Sequence, residues 1–264
     1  MIIRSYQVDS FTKRVFSGNP AVVVMLNEML SDSLLKLIAM ENAAPETAFL
    51  LKTEEGFNLR WFTPDIEMDL CGHATLAAAH ILFTEEGFTE EEVLFETISG
   101  LLTVKKEDDY YLMNFPVREG VPSVLPEEIF DSLNIKPKEV YKARDYMLVY
   151  PSQNEVESIE VNRSIFDEIN INPGGVIITA PGRDCDFVSR FFTPQSTILE
   201  DPVTGSAHCT LAPFWGKRLK KSVLKAKQLS SRGGELECRL EEFSLILKGS
   251  AVTYSKSEIN LNID

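Results

Sequence analysis

The sequence predicts an α+β protein of two pseudo-symmetric domains, each a mixed sheet or barrel wrapped around one central apolar helix. Three observations carry this. Short alternating or β-branched runs outnumber amphipathic helices, and they do not alternate with helices as a βαβ chain would. The segment Arg60-Trp-Phe-Thr-Pro64 recurs as Arg190-Phe-Phe-Thr-Pro194. The first copy continues as Asp69-Leu-Cys-Gly-His-Ala-Thr-Leu-Ala77 and the second as Asp201-Pro-Val-Thr-Gly-Ser-Ala-His-Cys-Thr-Leu-Ala212. The shared order of Asp, Gly, Ala and Leu-Ala marks two homologous units. Finally, the helices expected over Gly72–Phe83 and Ser206–Trp215 have almost no polar face, so each must be enclosed on every side.

The elements follow in order. Ile2–Val8 alternates as a strand, and a turn at Gly18-Asn19-Pro20 leads into the apolar strand Ala21–Leu26. Ser31-Asp32-Ser33 caps a helix reaching about Asn42, with Leu34, Leu35, Leu37, Ile38 and Met40 as its apolar side. Pro45 closes it, and strands are expected at Glu46–Lys52 and Phe57–Phe62. Leu94–Thr97 and Leu101–Val104 flank Ile98-Ser99-Gly100 as a hairpin. The Pro- and Gly-rich run Pro116–Pro126 reads as the linker, dividing the chain into residues 1–117 and 118–264, with the final few residues returning to the first domain. The second domain opens with a helix over Pro126–Leu133, and strands follow around Tyr146–Tyr150 and Gly175–Thr179. Pro213 is expected to end or kink the second apolar helix early.

Composition narrows the function. A chain of 264 residues with 44% apolar and 25% charged residues suits a soluble globular protein of about two domains. Its net charge of -14 excludes a nucleic-acid partner, because phosphates repel an acidic surface. An anionic substrate would then need local donors such as helix N-termini. Neither a signal-peptide pattern nor a run long enough to cross a bilayer is seen, which points to the cytoplasm. Cys71, Cys185, Cys209 and Cys238 are few and scattered, so disulfides are not expected. The basic stretch Lys217–Lys227 reads as a solvated face.

The chemistry centres on the two helix starts. Glycine at Gly72 and Gly205 allows a ligand close to the backbone. If the domains face each other by symmetry, the free N–H groups of both starts point into one cleft and receive a substrate carboxylate. Glu46 lies among Ala43-Ala44-Pro45 and Ala48-Phe49-Leu50, apolar surroundings that favour the neutral acid and suit proton transfer. An ordinary solvated glutamate is the competing reading. His73 occupies the first helical turn, where the dipole disfavours the imidazolium, so a neutral ring is expected to donate to substrate or relay a proton. His80 reads as a satisfied core histidine, and His208 has no positional argument. None of the three histidines has a convincing metal-ligand spacing, so no metal is expected. Asp201 could cap the second buried helix, and Ser206 matches His73 in the repeat. Aligning Gly72 with Gly205 places Thr204, not Cys209, opposite Cys71, so the matched thiol pair of two-base epimerases is missing.

Several of these segments together resemble the phenazine biosynthesis PhzF-like proteins. They are Asp9-Ser-Phe-Thr12, Gly18-Asn-Pro-Ala21, Glu46-Thr-Ala-Phe-Leu50, Asp69-Leu-Cys-Gly-His-Ala-Thr75, Glu96-Thr-Ile-Ser-Gly100, Asp186-Phe-Val-Ser-Arg-Phe-Phe192 and Glu200-Asp-Pro-Val-Thr-Gly-Ser-Ala-His208. The resemblance implies the diaminopimelate epimerase-like fold, commonly a homodimer, with the active site between the domains and no cofactor. It implies that Glu46, His73, Asp201 and Ser206 form the site, Glu46 taking a proton from one substrate carbon and returning it at another. His73 and Ser206 would orient the substrate, and Asp201 would hold an amino or hydroxyl group. The Cys71/Thr204 pairing also resembles 3-hydroxyproline dehydratases, so a Cys71-dependent dehydratase or epimerase stands as the alternative. A non-catalytic ligand-binding protein is the third reading.

Overall fold

The computed structural model describes residues 1–171, 174–242 and 244–261. The chain divides into two compact units, Met1–Asn114 with Lys248–Asp264, and Phe115–Leu247.

In the first unit the order is β1 (Ile2–Ser10), β2 (Asn19–Leu26), α1 (Asp32–Asn42), β3 (Glu46–Lys52), β4 (Phe57–Phe62), β5 (Glu67–Met68), α2 (Gly72–Thr84), β6 (Glu92–Thr97), β7 (Gly100–Glu107) and β8 (Tyr110–Pro116). β1 pairs antiparallel with β2 and, along its other edge, with the last strand, Ala251–Asn260. Then β2–β3 is parallel, β3–β4 antiparallel, β4–β6 parallel and β6–β7 antiparallel. Parallel neighbours need a crossover, and α1 and α2 supply the two.

The second unit contains β9 (Val121–Pro122), α3 (Glu127–Ser132), β10 (Glu139–Lys142), β11 (Tyr146–Val149), α4 (Gln153–Glu157), α5 (Arg163–Phe166), β12 (Val176–Pro181), β13 (Phe187–Phe192), α6 (His208–Leu219), β14 (Val223–Gln228) and β15 (Gly234–Leu240). Its pairings from β10 to β15 run antiparallel, parallel, antiparallel, parallel, antiparallel. That is the order of the first unit from β1 to β7. α4 and α5 occupy the place of α1, and α6 the place of α2. The pentapeptide repeat is therefore the local trace of a repeated topology.

The apolar helix α2 is buried at every position from Gly72 to Leu82 and lies against β1, β2, β3, β7 and the last strand. Only enclosure of this kind makes a helix without a polar face stable in water. α6 is buried from His208 to Pro213 and again at Trp215 and Gly216, against β14 and β15. It does not end at Pro213, one of the two outcomes expected there, but runs to Leu219 after a single 3-10 turn at Gly205–Ala207. Proline removes the N–H that would bond the carbonyl of Cys209. The backbone N–H of Arg118 donates to that carbonyl instead, at 2.9 Å, so no buried acceptor is stranded.

Other expectations are adjusted. Ser31 is the N-cap residue of α1, but its hydroxyl makes no capping bond and lies 3.0 Å from the Ser33 hydroxyl. The buried stripe of α1 is Leu35, Ile38 and Ala39. Leu37 and Met40 are 59% and 51% exposed, because a 100° step per residue carries them round to solvent. The expected linker contains β9, which pairs with β10. At the turn before β2, Gly18 has φ +69°, and a Cβ there would meet the Ser10 carbonyl oxygen at 2.1 Å, so glycine is required. The basic stretch is ion-paired on the surface, Lys217 with Glu119, Arg218 with Glu139, Lys221 with Asp186 and Lys227 with Glu235.

Candidate active site

The same clamp leads into both central helices. Arg60 grips Glu67 through Nε and Nη2, both at 2.7 Å, with its guanidinium 5.1 Å from the Phe62 ring centroid. Arg190 grips Glu200 through the same two atoms at 2.7 and 2.9 Å, and stands 4.8 Å from the Phe192 centroid. Each glutamate also bridges back to its strand, Glu67 opposite Phe62 and Glu200 opposite Phe192. The clamp closes the loop after the strand and fixes the approach to the next helix. In the second unit Glu200 is the residue immediately before Asp201.

In the first unit the fold gathers Glu46, Cys71, Gly72 and His73. Glu46 opens β3, Cys71 is the N-cap residue of α2, and Gly72 and His73 begin its first turn. Ser10 fixes the turn from below, its hydroxyl donating to the His73 carbonyl at 2.8 Å. The hydroxyl of Thr75 bonds the Cys71 carbonyl at 2.6 Å. On the loop before α2, Ser99 at the β6–β7 hairpin tip donates to the Asp69 carbonyl at 2.7 Å.

The side chains of His73 and Glu46 are only 6% and 15% exposed, with Nε2 and Oε2 3.0 Å apart. The contact is a charge pair. On the other side of the ring Nδ1 lies 3.5 Å from Cys71 Sγ. The imidazole thus stands between a thiol and a carboxylate. Sulfur, one ring nitrogen and a carboxylate oxygen fall within 4.8 Å of one another, a set of potential metal ligands that sequence spacing did not reveal.

The charge state of His73 reverses the expectation. Burial disfavours the imidazolium, but the Cys71 sulfur and Glu46 carboxylate outweigh it and hold the ring well above the usual histidine range. Burial pushes the Cys71 thiol up as well. A carboxylate at 3.0 Å in low dielectric dominates the partial charge of a helix end.

In the second unit Asp201, Thr204, Gly205 and Ser206 converge before α6. Thr204, not Asp201, takes the N-cap position, and its hydroxyl donates to Asp201 Oδ2 at 2.5 Å. Gly205 is buried and Ser206 half-buried in the 3-10 turn. The residue that sequence reasoning missed is Gln228, 1% exposed at the end of β14. Its Oε1 accepts the Thr204 N–H at 2.8 Å, while Nε2 donates to the Asp201 carbonyl at 2.8 Å and the Thr204 hydroxyl at 3.2 Å. Replacing Gln228 by leucine leaves the Thr204 N–H and the Asp201 carbonyl without this partner and is expected to cost about 2–3 kcal/mol, measured by urea unfolding.

The other two histidines are structural. His80 bonds the Tyr111 hydroxyl through Nδ1 and the Thr253 hydroxyl through Nε2, both at 2.9 Å, as expected of a core histidine. His208 lies 2.9 Å from the Thr204 carbonyl through Nδ1. Burial lowers both to about 4. A histidine that is neutral when folded stabilises fully above about pH 6.5 and loses that contribution as pH falls towards 4. About 2.5 units at 1.36 kcal/mol each is roughly 3 kcal/mol per histidine. His73 has the opposite sign, its contribution being lost as pH rises. Urea unfolding at pH 7 and pH 4.5 is expected to show a strong acid-side loss, and His208→Gln is expected to remove about half of it.

The α+β fold is shared with solved epimerase-like proteins. A predicted epimerase from Pseudomonas aeruginosa superposes with a TM-score of 0.74 over 98% of this chain and 99% of that one, at 20% identity. The family model for phenazine biosynthesis-like proteins matches residues 8–257. The chain belongs to that family. An uncharacterized isomerase of Pseudomonas aeruginosa is 43% identical over 263 residues, covering 99% of this chain and all of that protein. The crystal structure of a PhzF-family phenazine biosynthesis protein from Enterococcus faecalis gives a TM-score of 0.95 at 42% identity, covering 99% of this chain and 100% of that one. The enzyme class these relatives indicate is isomerase.

Proposed function

We propose that the protein is a cofactor-independent isomerase that shifts a proton on a small carboxylate-bearing substrate, with Glu46 as general acid/base. The observation that carries this reading is the Glu46–His73 contact. A largely buried carboxylate is held 3.0 Å from the buried imidazole at the start of α2. Glu46 remains able to take a proton from a substrate carbon and return it at another, while the imidazolium balances its charge. The first-turn N–H groups at Gly72 and Gly205 would receive the substrate carboxylate. His73 and Ser206 would orient the substrate. Asp201, steadied by Thr204 and Gln228, would hold an amino or hydroxyl group.

A second reading draws support from the 2.5 Å bond between Thr204 and Asp201 together with the 3.5 Å approach of Cys71 to His73. In it Cys71 removes the proton, as in an epimerase or a hydroxyproline-type dehydratase. The test is incubation with a panel of small cyclic and amino carboxylates in deuterated water, followed by NMR. Deuterium entering one compound identifies the substrate class, and abolition of that exchange by Glu46→Gln supports the isomerase. Binding without exchange in any compound favours a ligand-binding protein.

A further inference from the structure

We infer that Glu46, Cys71 and His73 form a site for one thiophilic divalent cation of the zinc type, whose occupancy silences the proton-transfer centre. Among the described residues this is the one group of three His, Cys, Asp or Glu side chains whose ligand atoms converge, all within 4.8 Å. Thiolate, imidazole and carboxylate are the donors that zinc prefers.

The spacing is close to what a metal requires. Ligands held 2.0–2.3 Å from a tetrahedral zinc stand roughly 3.3–3.6 Å from one another. Cys71 Sγ and His73 Nδ1 are 3.5 Å apart, within that range, while Glu46 Oε2 faces the other ring nitrogen, Nε2, at 3.0 Å, and the three ligand atoms lie within 4.8 Å of one another. With sulfur and one ring nitrogen as the first two ligands, the carboxylate closes on them by about 1 Å through side-chain rotation.

An independent observation points the same way. His73 Nε2 and Glu46 Oε2 have no hydrogen-bond partner although both atoms are buried, and His73 is 5% exposed overall. Buried polar atoms are nearly always satisfied. Coordination would engage the carboxylate oxygen and one imidazole nitrogen. The cation displaces the thiol proton and one imidazolium proton, both of which pass to solvent. Silencing rests on the proposed role of Glu46; binding does not, and it is measured without substrate.

The experiment titrates the metal-free protein with Co2+ as a spectroscopic probe, then displaces it with Zn2+. The expected result is one equivalent bound, with a sulfur-to-cobalt charge-transfer band that Cys71→Ser abolishes and Cys185→Ser leaves intact. His73→Asn and Glu46→Gln are expected to weaken binding by roughly tenfold or more, as ligand or as the carboxylate that orients the ring. Because a variant can misfold, the unaltered protein gives a second readout: Zn2+ should protect Cys71 from iodoacetamide, scored by peptide mass spectrometry. No binding at tens of micromolar metal, or a band and protection indifferent to Cys71, would overturn the inference. If metal binds as predicted but leaves deuterium exchange unaffected, the role given to Glu46 fails and the site stands.

Discussion

Glu46→Gln is expected to lower the rate of proton transfer by about 10²–10⁴-fold while ligand binding changes little. Glutamine fills the same space at the start of β3 and keeps a polar contact to His73, so the fold is preserved. What it lacks is the ability to take and return a proton. The loss of the negative charge also removes one of the two groups, with the Cys71 sulfur, that hold His73 above the usual histidine range. The ring should therefore titrate nearer its ordinary value in this variant, which an NMR pH titration of the imidazole would show. Unchanged turnover would exclude Glu46 as the acid/base.

The largest expected effect on stability comes from Arg190→Ala, at about 3 kcal/mol or more. The Arg190 and Glu200 side chains are 14% and 23% exposed. The guanidinium also donates through Nη1 to the carbonyls of Val156 and Ile159, at 3.2 and 2.8 Å. Alanine therefore strands a carboxylate and the Ile159 carbonyl, the Val156 carbonyl keeping the Ile159 N–H at 3.4 Å, which costs more than the ion pair itself contributes. Arg190→Lys keeps the charge but cannot form the two-pronged grip, and should recover only part of the loss. Urea unfolding of the three proteins at pH 7 measures this. The position of Asp201 depends on the same clamp, so substrate affinity should fall alongside stability in Arg190→Lys.

The sequence made the repeat legible because its signature residues are chemically unusual. Trp-Phe-Thr-Pro and Phe-Phe-Thr-Pro preceding an all-apolar helix leave few structural readings. Glu46 was legible for a related reason, a single carboxylate amid alanine, phenylalanine and leucine. Gln228 was not legible, since Lys225-Ala226-Lys227-Gln228 reads as an exposed polar strand. Its burial depends on the packing of β14 beside β13. The arginine clamps were hidden in the same way, because charged residues on a strand ordinarily face solvent. The charge on His73 differs from the expectation because the dipole argument leaves out the Cys71 sulfur beside the ring and the carboxylate that arrives from β3. That α6 runs past Pro213 was not legible because the compensating donor, Arg118, is remote in sequence from α6.

The central claim is that Glu46, rather than Cys71, handles the substrate proton. It is tested most directly by following deuterium incorporation into the responsive carboxylate with Glu46→Gln and Cys71→Ser under identical conditions. Loss of exchange in Glu46→Gln with near-normal exchange in Cys71→Ser is the predicted result. Loss in Cys71→Ser with exchange retained in Glu46→Gln would contradict the account and transfer the chemistry to the thiol.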